Sequence, residues 1–312
     1  MGKYLAVPLI IAGAWFFVTS GQILASMSGT NYQIQWDAFS TGGSDGATCV
    51  GCDYVLYDTA GGSGDGRSDG STYGLRAGYE QPGTDTAVIN TELFTQDNAT
   101  EVAYTSFSNA LKQVEVADAS GISIGNLIGV VENAGAGQLT AYGEVISKSV
   151  NLLTVDKWSG DNASMSGTPA GSNDFTYVLS STADVVLGFA SATMVNTSVS
   201  VLQTSTNELS GYTCTINENH NLQNSYGSDL NDVSDGAVST GIEEYGIEKN
   251  GDDVVGSGTD TAILVTDEEV SSASSQANSS RTGITYKASI FEWLTSAGTY
   301  DQTLTYTCNT NI

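Results

Sequence analysis

Apolar residues in this chain arrive in short alternating runs, cut off every few residues by Gly, Asn, Asp and Ser. In Asn31–Asp37 the residues Tyr32, Ile34 and Trp36 share one face, and Gln33, Gln35 and Asp37 share the other. The same period of two recurs at Val114/Val116, Leu139/Ala141/Gly143, Tyr212/Cys214/Ile216 and Leu304/Tyr306/Cys308. That spacing places side chains alternately on the two faces of a strand and does not suit a helix. Gly accounts for 36 of 312 residues, well above the usual ~7%, and supplies the tight turns that many short strands need. The expectation is an all-β chain.

Two proline-bearing turns divide it. Pro82 lies in Glu80-Gln81-Pro82-Gly83 and Pro169 in Gly167-Thr168-Pro169-Ala170-Gly171. The domain plan is then a signal peptide over 1–25, an N-terminal β segment over 26–82, a middle β module over 83–182 and a C-terminal sandwich over 183–312. In 26–82, three β runs (Asn31–Asp37, Tyr54–Tyr57, Tyr73–Tyr79) alternate with the Gly-rich loops Gly42–Gly46 and Gly61–Gly74. The middle module reads as a small barrel or sandwich. Its strands are Val114/Val116, Ile122/Ile124, the continuous apolar run Leu127–Val131, Leu139–Gly143 and Leu152–Val155. Asn133–Gly137 serves as a hairpin loop, and a short helix is expected near Thr105–Lys112. In 183–312, seven candidate strands suit an immunoglobulin-like fold: Val185–Ala190, Ser198–Gln203, Tyr212–Ile216, Tyr245–Glu248, Ala262–Val265, Ile284–Ile290 and Tyr300–Cys308. Ser271–Ser280 reads as a flexible exposed loop.

The start of the chain carries the features of an export signal. Met1-Gly2-Lys3 supplies a minimal basic start, Tyr4–Val18 is apolar and uncharged, and Ala25 suits the position before a cleavage site. The alternatives are an uncleaved membrane anchor and a type IV pilin helix. Export places the protein outside the cytoplasm, where disulfides persist. Cys214 and Cys308 each lie on the apolar face of a strand, so their sulfurs should meet in one core. Cys49-Val50-Gly51-Cys52 reads as a local loop disulfide. A zinc half-site would lack its other two ligands, a redox pair would lack its helix, and interchain crosslinking is the remaining alternative.

There are 9 Lys+Arg against 35 Asp+Glu, a net charge of −26. Such a surface repels phosphate backbones and excludes nucleic acid as a partner. It keeps the chain soluble, or binds divalent cations in acidic loops. Two loops, Asp65–Gly70 and Asn231–Gly236, approach a calcium-binding pattern, but both fail it at the third position. No cofactor is implied, with calcium the one candidate ion.

Catalytic signatures are absent from the sequence. There is no Gly-x-Ser-x-Gly, phosphate-binding loop or His-Glu-x-x-His, and the single histidine, His220, lies in a polar loop. Glu243-Glu244 and Glu268-Glu269 are adjacent pairs whose members face opposite sides of a strand, which does not make a glycosidase dyad.

Ala25–Asp37 before Gly42-Gly43, Tyr54–Gly62 and Tyr73–Gln81 form one set of phrases, and Gly211-Tyr212, Asp235–Val238, Glu243–Ile247, Gly283–Ser289 and Ala297–Tyr300 form a second. Together they resemble secreted β-rich surface proteins of candidate-phyla (Patescibacteria-type) bacteria. The resemblance implies export and a surface role, and no catalytic residues.

The expected function is a structural subunit of an extracellular filament, pilus-like fibre or surface layer. The alternative is a monomeric adhesin or carbohydrate-binding protein that engages a glycan or host-cell surface, with a secreted hydrolase a third reading. In the first case Tyr32, Ile34 and Trp36 mark a strand that a neighbouring copy can accept at an open sheet edge. The alternative is that this strand pairs within 26–82.

Overall fold

The computed structural model describes residues 87–182 and 184–311 in full. N-terminal to them it describes six short strands by their backbone: β1 (Ser26–Gly29), β2 (Tyr32–Gln35), β3 (Ser44–Thr48), β4 (Val55–Asp58), β5 (Gly66–Asp69) and β6 (Gly74–Ala77). The chain divides at the Thr86–Ala87 junction into two units. The export signal over 1–25, Cys49, Cys52 and Trp36 lie outside the described residues.

The N-terminal strands pair as three antiparallel hairpins, β1–β2, β3–β4 and β5–β6. The segment carrying Tyr32 and Ile34 pairs within the N-terminal unit, with Ser26–Gly29, Met27 standing opposite Ile34. Ladders also form inside both Gly-rich stretches, at β3 and β5. Backbone hydrogen bonding needs no side chain, so low apolarity does not prevent a strand.

The second unit opens with β7 (Ile89–Gln96), then β8 (Val102–Ser108), β9 (Gln113–Val116), β10 (Leu127–Glu132), β11 (Leu139–Ser149), β12 (Leu152–Val155), the two-residue β13 (Ser159–Gly160) and β14 (Phe175–Ser180). Six of these close on themselves. In order round the ring, β10, β11, β12, β9, β8 and β14 are paired, and β14 pairs back with β10. The middle region is therefore a small antiparallel barrel, and closure leaves it no free edge. Its interior holds Tyr104, Phe107, Val114, Val116, Ile128, Val130, Ala141, Val145, Leu153, Val155 and Trp158. The Phe107 and Trp158 rings lie 4.9 Å apart. The expected helix near Thr105–Lys112 is instead the end of β8 and a turn, because Phe107 must point inward opposite Val114. Ile122 and Ile124 form a turn, one buried and one exposed.

The rest comprises β15 (Asn196–Thr206), β16 (Tyr212–Glu218), β17 (Gln223–Asn224), β18 (Glu244–Gly251), β19 (Glu268–Ala273), β20 (Ala277–Ser289), β21 (Tyr300–Asp301) and β22 (Leu304–Thr310). The sheet β7-β15-β20-β18 faces the sheet β19-β16-β22. Between them pack Leu202, Tyr212, Cys214, Ile216, Tyr245, Ile247, Ile284 and Tyr286. Val185–Ala190 and Ala262–Val265 form no strands, although Ile263 is buried. The stretch Ser271–Ser280, expected as a flexible exposed loop, lies largely in β19 and β20, with Ser271 and Ser280 buried. Small hydroxyl side chains fit between neighbouring strands as readily as alanine when their backbone is paired.

Strand pairing crosses the boundary expected at 182/183. β7, from the segment before it, pairs with β15 over seven residues, Thr95↔Ser200 to Ile89↔Thr206. β7 also meets β14, so the barrel runs directly into the sandwich sheet. The continuous apolar run of β10 explains this. Ile128 and Val130 point into the barrel, while Leu127 and Val131 point out and pack with Tyr142, Tyr177, Leu179, Val199 and Val201. Gly283 on β20 lets the two parts touch, since a Cβ there would stand 2.2 Å from the Tyr142 hydroxyl oxygen.

Cleavage of the chain within 184–194 should leave the two pieces bound together in native buffer, co-eluting on size exclusion. A barrel fragment that elutes alone without denaturant would restore a boundary at that place.

Candidate binding surface

Three loops meet at the end of the sandwich where β15 and β18 begin and β20 ends. They span 181–195, 225–243 and 290–299. Asn196 anchors the first, donating from Nδ2 to the carbonyls of Leu187 (2.8 Å) and Phe189 (2.9 Å). The Gly241 N–H donates to Ser289 Oγ (3.1 Å), which holds the second loop to the end of β20. Ser228 Oγ donates to Ser296 Oγ (3.0 Å), and Thr295 Oγ1 donates to Glu243, so the second and third loops hold each other. Asn224 Oδ1 accepts the Tyr226 and Ser228 N–H groups, which closes a tight turn below Tyr226.

These loops carry large apolar side chains into solvent. Phe189 is fully exposed, Tyr226 is 88% exposed, Trp293 83% and Leu294 76%, with Met194 and Ile242 half-exposed nearby. Single exposed apolar residues are ordinary, but a concentration on mutually braced loops marks a contact surface. The surrounding charge is all negative. Asp184, Asp229, Asp235, Glu243 and Glu292 lie in or beside these loops, and neither 158–248 nor 288–312 contains a Lys or Arg.

Cys214 and Cys308 sit directly opposite each other on β16 and β22 and are bonded, with Cα atoms 4.1 Å apart. Tyr32 and Ile34 lie in β2, one edge of which is paired with β1. The ring nitrogen Nδ1 of His220 lies 2.8 Å from the Asn221 carbonyl oxygen. Each adjacent acidic pair is split between environments. Glu244 is buried and accepts the Ser239 N–H (3.0 Å), while Glu243 accepts from Asn231 Nδ2 (3.0 Å). Glu268 lies 2.6 Å from Lys249 Nζ, and Glu269 is exposed. Among the described residues no three His, Cys, Asp or Glu side chains are grouped to hold a metal ion.

One feature of this end is absent from the sequence reading. Glu218 continues the inward row Tyr212, Cys214, Ile216 and is only 3% exposed. Its carboxyl is pushed up to about 7, first by burial and then by Asp232, with His220 pulling the other way. Asp232 is raised too, by burial and by Asp229. The signal was legible as period two extended by one step past Ile216.

No family model, curated protein or solved structure matches the chain.

Two predictions follow from this geometry. Replacing both Cys214 and Cys308 with Ser should lower stability by up to about 4–5 kcal/mol, because the bond closes a loop of 94 residues. Thermal melts with and without reductant measure it. For Glu218, burial holds the folded pKa above the ordinary 4.5, so the folded state retains a proton that the unfolded state releases. Stability is then lost as pH rises from about 4.5 through 7. In a chelating buffer Glu218→Gln should match the wild type at pH 4 and exceed its melting temperature at pH 8. Equal curves at both values would exclude the assignment.

Proposed function

We propose that this chain is an exported, non-catalytic surface protein, a structural subunit of an extracellular filament or surface layer that joins its neighbours through the aromatic loop end. The exposure of Phe189, Tyr226, Trp293 and Leu294 on braced loops carries this reading. A barrel joined continuously to a disulfide-bonded sandwich suits a load-bearing role, and the segment of Tyr32, Ile34 and Trp36 offers a second contact. The net charge of −26 sets the condition for assembly. Copies repel one another at low ionic strength and approach once salt shortens the Debye length to ~8 Å or less.

The alternative is a monomeric adhesin or carbohydrate-binding protein, favoured by the mixture of Tyr and Trp with Asn- and Asp-rich loops at one surface. Negative-stain microscopy and size exclusion across a NaCl series separate the two. Assembly should appear as salt rises and disappear in Phe189→Ser/Trp293→Ser with the melting curve retained. Ile34→Asp, in the same assay, tests strand donation. A protein that stays monomeric at every salt concentration, and whose glycan-array signal is lost in Trp293→Ala, is the adhesin instead.

A further inference from the structure

We propose that Glu218, Asp232 and Gln302 form a binding site for a hard divalent cation of the calcium type, set beneath the aromatic loop end. The inference stands apart from the filament and adhesin readings and holds under either.

Three separate segments bring acceptor side chains to the surroundings of Tyr245. Glu218 ends β16 and Asp232 lies in the 225–243 loop. Gln302 precedes β22 by two residues. Register fixes the first juxtaposition, since Glu218 is the cross-strand partner of Leu304, and Gln302, two residues along, falls on the same face beside it. Tyr245 fixes the second. Asp232 bridges to Tyr245, the Val233 N–H donates to the Tyr245 carbonyl (2.8 Å), and the Tyr245 N–H donates to the Asn231 carbonyl (2.8 Å). Gln302 Nε2 donates to the Tyr245 hydroxyl, so both segments border one ring. The carboxylates are near enough for Asp232 to raise Glu218, and for both to raise the Tyr245 hydroxyl after its burial.

Asp229 and Asp232 alone are only an acidic loop. What points to a ligand is Glu218, which comes from a different strand and is almost wholly buried, with Oε2 lacking any hydrogen-bond donor. Asp232 Oδ1 and Gln302 Oε1 are also buried without donors. Buried acceptors of this kind are strongly unfavourable unless something positive meets them. No Lys or Arg lies in either sequence region that builds this end. Two carboxylates balance a divalent charge, and the amide carbonyl adds a neutral third ligand. An all-oxygen set suits calcium, with water completing six to eight ligands, and does not suit zinc or copper. The bound ion would tie the 225–243 loop to the ends of β16 and β22, and so hold Tyr226 in place.

Terbium tests the site directly, because Tyr245 is placed to sensitise its emission. Full-length chain titrated with Tb³⁺ should give saturable tyrosine-excited emission, displaced by Ca²⁺, and Ca²⁺ alone should raise the melting temperature. Glu218→Gln and Asp232→Asn should each weaken binding by at least ~10-fold. Glu269→Gln, on the exposed side of β19, should leave it unchanged. Gln302→Met retains both charges and guards against misfolding of the acidic variants. It should weaken binding by a smaller factor with an unaltered melting curve in chelator. Absence of saturable emission, or a titration unchanged in both Glu218→Gln and Asp232→Asn, would assign any bound ion to the general acidic surface and overturn the site.

Discussion

The Arg281 side chain decides how the barrel and the sandwich sit together. It leaves β20 toward the barrel and has no solvent exposure. Its two terminal nitrogens donate to both oxygens of Asp156, at 2.9 and 2.8 Å, and Nε donates to Gln203 Oε1 at 2.8 Å. Glu144 stands 3.7 Å away. Burying a guanidinium carries a large desolvation cost, offset only when its fork is matched by acceptors in the right geometry. Burial alone would raise the Asp156 carboxyl, but the hydrogen bonds from Arg281 and from backbone N–H groups outweigh it and hold it low. The fork accepts few other arrangements, so this contact sets the angle between the two parts more sharply than the apolar contacts of Tyr142 and Val199 beside it.

Lys287 repeats the arrangement three steps along the same face. Its Nζ lies 2.6 Å from Glu248 and 2.9 Å from Asp260, and it donates to the Ala136 carbonyl of the barrel's hairpin loop (3.0 Å). All the cations of the second unit are engaged in this way. Lys157 pairs with Asp252 and Lys249 with Glu268, while Lys112 and Lys148 donate to backbone carbonyls. Lys249, Arg281 and Lys287 are buried, so half of this unit's positive charge lies inside the fold. The acidity of the loop end follows from this internal use of Lys and Arg as much as from the number of acids.

Strand positions with strong alternation or a continuous apolar run were legible in the sequence. Val114/Val116, Leu127–Val131, Tyr212–Ile216 and Leu304–Cys308 all lie in strands, and the shared apolar phase of Cys214 and Cys308 was enough to pair them. Where the pattern weakened, the reading failed for identifiable reasons. Ser271–Ser280 has no apolar stripe, yet backbone pairing with β16 and β15 makes most of it strand. Val185–Ala190 has an alternating stripe but no neighbour to pair with. Phe175–Ser180 is not legible because its polar Thr176 is itself buried, and Ile89–Gln96 because its alternation, with Asn90 and Glu92 outward, breaks at Leu93-Phe94 and the buried Thr95. The aromatic loop end was only partly legible, since exposure of Phe189 or Trp293 depends on what fails to cover them.

By itself the sequence determined the all-β class, the alternating faces, the acidic balance and the inward phase of the two bonded cysteines. These are local properties, set by a period of two and by side-chain chemistry. Tertiary structure alone decided that β7 would join the sheet of β15 and that the barrel would close through β14 and β10. It also decided that β20 would be buried on both faces. Its second row, Arg281, Gly283, Thr285 and Lys287, reads as a solvent face in one dimension. That row becomes an interior only when the barrel lies against it, and pairing between residues a hundred positions apart leaves no mark in any local window of sequence.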